Sequence, residues 1–429
     1  MPLISKRVIV LATAVLELTA CSSASDPSNT ASAGAQVSAM AGAGPGSTAG
    51  GGASNAAGGA GGNLSAAGAP TFGGTGNLSG GPSSGGALAN GGAASVAGAA
   101  GAGSSSAGAA GAGSTGDCAV APIDPSATAE AKKLLCYLYS IYGSKVLSGQ
   151  QETSWSNPQG DIDYYVQTVS KHPAILGGDY LYTEGAKPGN NTSVRAQAYW
   201  NAGGLTMLRY HMGAPPLADT YDNSKGTVTN FDNLTKAGTA ENTSLISKLD
   251  YMAAELKFLQ DAKVPVILVP YHEIDKYAWF WWSKGTGAQF IALWKYTIEY
   301  ITKTRGVHNV LWTIGYGHDG AMADFWPGKA YADLGGIDQY DKGTQPFANL
   351  YTGTKAVVGS TIPIPLHETG TIPQPSAMFP TAAPWLMWNV WATYQNTDAE
   401  GYTWNTPETI KSAYADAHTI TRETLPNLK

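Results

Sequence analysis

His272 and Glu273, two residues suited to proton transfer, come shortly after an apolar run at Val266–Val269. Four aromatic residues follow them at Trp279, Phe280, Trp281 and Trp282. Apolar surroundings raise the pKa of a carboxyl group, so that it can donate a proton near neutrality. Because aromatic rings also pack against the C–H faces of sugars, the segment predicts a carboxylic acid acting on a carbohydrate. The alternative is a core strand with a polar end, beside aromatic residues that only pack.

A second candidate carboxyl group, Glu368, lies far downstream in the sequence. Glycosidases that retain the anomeric configuration use two carboxyl groups about 5–5.5 Å apart. In that reaction Glu368 would attack the anomeric carbon while Glu273 protonates the leaving oxygen and later activates water. Two carboxyl groups held close together also push their pKa values apart, so that one of them stays protonated.

The elements that must position these two residues alternate between short apolar runs and longer helical stretches, a pattern typical of parallel strands joined by helices. The clearest helical stretch is Gly287–Thr304. Eight strands are predicted, at Val146–Ser148, Ala174–Gly177, Leu205–Tyr210, Val264–Pro270, Val310–Ile314, Ile337–Tyr340, Ile362–Leu366 and Trp385–Trp388. The fold class is therefore α/β, a (β/α)8 TIM barrel. In such a barrel the active site lies past the carboxyl ends of the strands, where Glu273 follows the fourth strand and Glu368 the seventh.

Several segments of the chain resemble the β-mannanases of glycoside hydrolase family 26, from about residue 130 to residue 400. The resemblance is carried by YHEIDKYAWFWW (271–282), FIALWKY (290–296), GVHNVLW (306–312), LSGQ (147–150), the stretch from 203 through His211 to Pro215, DQY (338–340) and HETG (367–370). The family consists of barrels with the acid/base after strand four and the nucleophile after strand seven.

The resemblance implies a role for each matching residue. Glu273 would be the acid/base and Glu368 the nucleophile. The expected substrate-binding residues are His211, His272, Trp282, Tyr340 and Trp388. His272 would orient the sugar or the nucleophile, Tyr340 would hydrogen-bond Glu368, and His211 would line the glycone side. Trp282 and Trp388 would be exposed hydrophobic platforms. The chain departs from the family at Ile274-Asp275-Lys276, where Asn is often found, and at His367, where a smaller polar residue is usual.

Less specific interpretations apply to some of these residues. Trp279, Phe280 and Trp281 are more typical of packing than of sugar contact, and His211 could be a satisfied core histidine. Three aspartates, Asp179, Asp319 and Asp338, could be hydrogen-bonding groups at the barrel mouth. We expect no metal and no cofactor, because the sequence shows no further ligands at metal spacing, no zinc helix, no phosphate-binding glycine loop and no nucleophile elbow.

The first residues of the chain predict export. Residues 1–21 carry Lys6 and Arg7 and then an apolar stretch, which predicts a signal peptide. The stretch ends Leu18-Thr19-Ala20-Cys21, resembling the bacterial lipobox in which the cysteine is lipidated. A membrane contact is expected only through a lipid on Cys21; the alternative is an ordinary cleaved signal.

Residues 22–116 consist almost entirely of Gly, Ala and Ser, with Asp26 as the sole charge. Such a segment cannot bury enough apolar surface to offset its ordering entropy, so we predict a disordered linker. The barrel domain is then 117–429. It contains Cys118 and Cys136, which export would allow to form a disulfide.

Charge and composition restrict the partners of the 117–429 domain. The whole chain has a net charge of −6, and the same net charge falls on this domain. A mildly acidic surface argues against nucleic acid and against anionic polymers. We therefore expect a monomeric, exported endo-β-1,4-mannanase acting on a neutral β-mannan-type polysaccharide, at the outer membrane and cell surface or secreted. The alternatives are the same barrel acting on xylan or mixed-linkage glucan, and an inactive carbohydrate-binding lipoprotein.

Overall fold

The computed structural model describes residues 118–152, 160–181, 191–343, 346–380, 383–392, 394–398 and 401–429. In these ranges eight parallel strands form a closed barrel. In chain order the strands are Gly149–Gln151, Ile175–Asp179, Leu205–Arg209, Val266–Val269, Val310–Tyr316, Leu334–Gln339, Leu366–Thr369 and Trp388–Val390. The first strand pairs with the eighth through Gln150 and Val390, which closes the barrel. The predicted (β/α)8 fold is confirmed.

Helices surround the barrel, and threonine side chains cap several of them. The α-helices are Ala129–Ile141, Gly160–Val169, Asn191–Asn201, Tyr221–Ser224, Ala240–Asp261, Gly287–Glu299, Ala348–Val358, Pro375–Met378 and Pro407–Ala415. Thr286 accepts a hydrogen bond from the backbone N–H of Gln289, whose side chain bonds back to the backbone of Thr286. This capping box fixes the start of the predicted helix at Gly287. Beyond Glu299 the helix continues as a π-helical turn, Tyr300–Thr304.

Some strand boundaries differ from the sequence prediction. The run at Val146–Leu147 lies outside the barrel, in a two-stranded parallel sheet with Thr419–Ile420. The seventh strand begins at Leu366 because Pro363 and Pro365 precede it, and proline has no N–H to donate to a neighbouring strand. Glu368 therefore lies within the seventh strand.

The sixth strand begins at Leu334, earlier than predicted. The prediction missed this start because glycine, present at 335 and 336, is rare in strands. A Cβ atom at Gly336 would lie 2.6 Å from the carbonyl oxygen of Pro365, so only glycine lets the sixth and seventh strands approach this closely. This close packing aligns Asp338 opposite Glu368 in the register of the two strands.

Large aromatic side chains fill the space between the barrel and its helices. Trp294 of the helix Gly287–Glu299 packs edge-to-face on Trp312 of the fifth strand, with ring centroids 6.0 Å apart. Both rings are fully buried. Each such ring removes about 150–250 Å² from water, which makes the aromatic layer a main source of stability.

The predicted disulfide between Cys118 and Cys136 is present, with Cα atoms 5.8 Å apart. It ties the start of the described domain to the helix Ala129–Ile141. In the described part of the chain, no helix is both long enough and apolar enough to span a membrane. The predicted signal peptide (1–21) and linker (22–116) lie outside the described residues.

Candidate active site

Glu273 and Glu368 meet at the carboxyl-terminal mouth of the barrel. Glu368 is fully buried and Glu273 is 5% exposed. One oxygen of each lies within 4.8 Å of the other, and within the same distance of an oxygen of Asp338. Oxygens this close are nearer to the separation of about 5–5.5 Å in retaining glycosidases than to the about 6.5–9.5 Å of inverting ones.

The backbone at Glu273 has an unusual conformation. Its φ of 49° is in the left-handed region, which glutamate rarely adopts. The next residue holds the backbone there, since Ile274 N–H donates to the Gly315 carbonyl at 3.1 Å and the Ile274 carbonyl accepts from Gly317 N–H at 3.0 Å. The fifth strand and the residues just after it therefore hold the Glu273 backbone in a conformation that its own preferences disfavour.

The environment of Glu273 keeps a proton at the site. Burial raises the pKa of Glu273, and Asp275 raises it further, against the opposing hydrogen bond with Asp338. Burial and the neighbouring Glu273 carboxyl raise the pKa of Asp338 well above its usual value. Because two close carboxyl groups cannot both ionise easily, the pair retains one proton to higher pH than either carboxyl would alone.

Glu368 is held in a different way, by two donors. Arg209 Nη1 donates to its Oε2, and the Tyr340 hydroxyl donates to its Oε1, which confirms the predicted Tyr340–Glu368 hydrogen bond. Arg209 is fully buried, and its Nη2 also donates to the His367 carbonyl at 2.9 Å. With a donor on each oxygen, Glu368 is arranged as the acceptor that a nucleophilic carboxylate must be.

His211 and His272 both reach the mouth of the barrel. Their Nε2 atoms lie 2.9 Å apart, and His211 Nδ1 lies 2.5 Å from Asp179 Oδ2. Burial lowers the pKa of His272 well below its usual value, and the Arg209 guanidinium lowers it further. His272 is therefore neutral. The satisfied-histidine interpretation of His211 and the hydrogen-bonding role of Asp179 both agree with this geometry, while contact of either histidine with a sugar stays a prediction.

The expectation that Trp282 and Trp388 are exposed is wrong, because both rings are fully buried. Trp282 Nε1 donates to the His272 carbonyl at 2.7 Å, and its ring stacks on Phe280 with centroids 4.6 Å apart. Trp388 is part of the eighth strand, whose three residues are all buried. Its ring contacts that of Tyr414 in the helix Pro407–Ala415, with centroids 6.3 Å apart. The predicted contact of Trp282 and Trp388 with sugar stays untested.

Trp391 also lies at this edge of the barrel, just past the eighth strand. It is 5% exposed and its ring lies 5.2 Å from the guanidinium carbon of Arg209. Sequence reasoning missed both residues. A charged residue at the end of the apolar run Leu205–Arg209 was a usable signal, because a buried charge needs a partner.

A cleft opens from Glu273 along the segments that follow the fourth and fifth strands. It is lined by Glu273, Asp275, Tyr277, Trp279, Gly317, His318 and Asp319. Tyr277 is 62% exposed. Phe280 and Trp281 are fully buried, which confirms their interpretation as packing residues, whereas Trp279 is partly exposed and lines the cleft.

The three carboxyl groups of Glu273, Asp338 and Glu368 lie close enough together to share a metal ion. Both oxygens of Glu368 already accept hydrogen bonds from Arg209 and Tyr340. A cation would have to compete with the buried guanidinium. We therefore assign no metal here, and the absence of a metal or cofactor stays a prediction.

Comparison with known proteins agrees with this geometry. The sequence profile described as glycosyl hydrolase family 26 matches residues 123–424. A mannan endo-1,4-β-mannosidase of Thermothelomyces thermophilus is 30% identical over 313 residues, which cover 70% of this chain and 62% of that protein. A mannan endo-1,4-β-mannosidase of Bacillus subtilis is 26% identical over 52% of this chain and 66% of its own length. The chain thus spans a little under two thirds of each of these two relatives.

Solved structures show the same fold. GH26A from Muricauda sp. superposes with a TM-score of 0.63 at 27% identity, covering 71% of this chain and 99% of its own. A β-mannanase from a symbiotic protist of the termite Reticulitermes speratus, complexed with gluco-manno-oligosaccharide, gives a TM-score of 0.63 at 26% identity, covering 71% of this chain and 97% of its own.

Proposed function

Because this chain belongs to glycosyl hydrolase family 26, we propose that it is a retaining endo-β-1,4-mannanase that cleaves mannan, glucomannan or galactomannan by double displacement. The observation that carries the proposal is the asymmetry of the two close carboxyl groups. Glu368 accepts from Arg209 and Tyr340, whereas Glu273 shares its surroundings with the carboxyl groups of Asp338 and Asp275. One group is thereby arranged to attack and the other to carry a proton.

In the first step a carboxylate oxygen of Glu368 attacks the anomeric carbon and forms a glycosyl ester. The bond from that carbon to the leaving oxygen breaks, and Glu273 transfers its proton to this oxygen. Tyr340 and Arg209 hold the attacking carboxylate in place. The leaving half of the polymer then departs with the proton that came from Glu273.

In the second step Glu273, now a carboxylate, removes a proton from water. The water oxygen attacks the anomeric carbon, the ester bond to Glu368 breaks, and Glu368 returns to its carboxylate form. Two inversions at one carbon leave the configuration unchanged. The raised pKa of Glu273 favours the first step, because it keeps a larger share of this carboxyl group protonated and able to donate.

The choice of β-mannan rests on the relatives, several of which are named mannan endo-1,4-β-mannosidases. Xylan and mixed-linkage glucan remain alternatives with the same chemistry, since loops set the substrate. An inactive sugar-binding protein is disfavoured, because both carboxyl groups are present and held at working distance. We further propose that the monomeric enzyme is exported and anchored by a lipid on Cys21, with residues 22–116 as the tether.

Product analysis tests the proposal. The full chain and Glu368→Ala are incubated with linear mannan, glucomannan, xylan and mixed-linkage glucan, and soluble products are separated by chromatography. We expect manno-oligosaccharides from the wild type and none from the variant. Products from xylan or glucan alone would overturn the substrate, and binding without products from any polymer would overturn the enzymatic function.

A further inference from the structure

Asp179, His211 and His272 form a line of buried side chains that ends beside the acid/base. Asp179 and His272 are fully buried, and His211 is 1% exposed. The two contacts that join them measure 2.5 Å, from Asp179 Oδ2 to His211 Nδ1, and 2.9 Å, between the two Nε2 atoms. The reaction scheme above uses none of these three groups for proton transfer, so their arrangement requires a separate explanation.

The carboxyl group of Asp179 sets the direction of the first hydrogen bond. Burial alone would raise the pKa of Asp179, but His211 and the backbone N–H of Leu181 lower it below its usual value. Its Oδ1 accepts from two backbone N–H groups, that of Leu181 at 2.8 Å and that of His211 at 3.3 Å. Oδ2 is therefore the oxygen that faces the imidazole, and the proton between them belongs to His211 Nδ1.

Neutral His272 carries one ring proton, and of its two ring nitrogens Nε2 is the one with a partner, His211 Nε2 at 2.9 Å. His211 Nε2 therefore accepts, the proton of His211 lies on Nδ1 facing Asp179, and the single proton of His272 lies on Nε2. Its Nδ1 carries a lone pair and has no hydrogen-bond partner within the described residues. The reversed arrangement would place a buried N–H at that position without an acceptor, at a cost of about 1–3 kcal/mol.

We propose that Asp179 is a positioning residue that fixes the tautomers of His211 and, through it, of His272. His272 directly precedes Glu273, and its carbonyl is held by Trp282 Nε1. The relay thus anchors the segment on which the acid/base sits in its left-handed conformation. The consequence for turnover rests on the proposed glycosidase function, whereas the tautomers themselves do not.

Asp179→Asn is the informative substitution because it keeps the shape of the side chain. The two backbone N–H groups on Oδ1 hold the amide oxygen in place, so the amide nitrogen faces His211 Nδ1. An N–H donor there forces the proton of His211 onto Nε2 and that of His272 onto Nδ1, as in other Asp–His pairs where the amide selects the wrong tautomer.

The matched control is Asp124→Asn. Asp124 is also buried, and its Oδ2 lies 2.7 Å from His308 Nδ1. That pair links residues before the first helix to residues before the fifth strand, at the opposite end of the barrel from Glu273. Its histidine is partly exposed, and the variant tests whether loss of any Asp–His contact has the same effect.

Long-range ¹⁵N–¹H correlation spectra of the full chain, labelled at its seven histidines, read the tautomers directly. In the wild type we expect His211 protonated at Nδ1 and His272 at Nε2, and the opposite assignment would overturn the proposal without any variant. In Asp179→Asn both tautomers should invert, while kcat on mannopentaose falls about tenfold or more and KM changes less than about twofold.

Three further outcomes would overturn the proposal: an unchanged kcat in Asp179→Asn, unchanged tautomers in that variant, or an equal loss of kcat in Asp124→Asn. If the wild type hydrolyses no β-glycan, the proposed function fails instead, and the wild-type spectra still decide the tautomers.

Discussion

At the scale of single residues, the two glutamates differ in what surrounds them. Glu368 lies among donors, and Glu273 lies among other acids. In the proposed mechanism the same side chain serves two purposes, because different neighbours stabilise different protonation states.

Replacing Glu273 by Ala should separate substrates by leaving group. An aryl glycoside with an acidic leaving group needs no proton, so we expect its glycosylation rate to change little, while kcat/KM on mannopentaose falls about 10²–10⁴-fold. Steady-state and burst kinetics on both substrates measure this difference. Equal losses on both substrates would show that Glu273 is not the acid.

Replacing Asp338 by Asn should shift the pH profile. In the wild type the acid form persists to higher pH, because ionising both Glu273 and Asp338 is unfavourable. Activity is lost as pH rises through the pKa at which the pair of carboxyl groups gives up its last proton. Without the second carboxyl group, the alkaline limb of kcat/KM should move to lower pH, and an unmoved limb would contradict the coupling. Asp222→Asn, at an exposed position, is the control.

At the scale of elements, the segment after the fourth strand does two things. Its early residues set the backbone of Glu273, and its later residues build the wall of the cleft. Tyr277, at 62% exposure, offers an aromatic face beside the acid/base. Because the acid/base protonates the leaving oxygen, a ring on its side of the site is placed to contact the departing sugar.

Replacing Tyr277 by Ala should therefore weaken the use of long substrates. We expect kcat/KM on mannohexaose to fall about fivefold, corresponding to about 1 kcal/mol for one aromatic contact. A dinitrophenyl β-mannobioside, which places no sugar there, should be unaffected.

Tyr331→Ala is the matched control, because each of the two tyrosine rings lies near a lysine. Lys295 Nζ is 4.3 Å from the ring centroid of Tyr331, and Lys276 Nζ is 4.9 Å from that of Tyr277. Equal effects of the two substitutions on mannohexaose would contradict a sugar contact at Tyr277.

The strands were easier to predict from the sequence than the packing of side chains between them. The run at Val266–Val269 predicted the fourth strand because apolar, β-branched residues favour a buried strand. The exposure of Trp282 and Trp388 was mispredicted, since a sequence gives the type of a side chain but not the face on which it packs. The contact between Arg209 and Glu368 joins strands far apart in sequence, and such pairing depends on closure of the barrel.

At the scale of the whole molecule, stability should depend on pH through Asp333. This carboxyl group accepts from Ile123 N–H and Trp312 N–H, each at 2.8 Å, and joins the start of the domain to the barrel. Burial raises its pKa from 3.8 to about 7, although the two N–H groups oppose the shift. The folded state keeps the proton of Asp333 up to about pH 7, whereas the unfolded state releases it near pH 4. The resulting stabilisation is therefore complete only below about pH 4 and is lost as pH rises through the folded-state pKa.

The contribution of Asp333 to the free energy of unfolding should thus decline as pH rises from about 4 to 7, by up to about 4 kcal/mol. Urea unfolding of the wild type and Asp333→Asn at pH 4.5 and 7.5 measures it, with the exposed Asp324→Asn as the control. We expect a smaller pH dependence in Asp333→Asn than in the other two proteins. Identical pH dependence in all three would contradict the shift.

The most direct test of the proposed function follows the anomeric configuration of the first product. ¹H NMR of mannohexaose during hydrolysis by the full chain should show the β-anomer of the new reducing end first, with the α-anomer appearing only through mutarotation. Glu368→Ala should give neither. If the α-anomer appears first, or if Glu368→Ala is active, the double displacement through Glu368 is wrong.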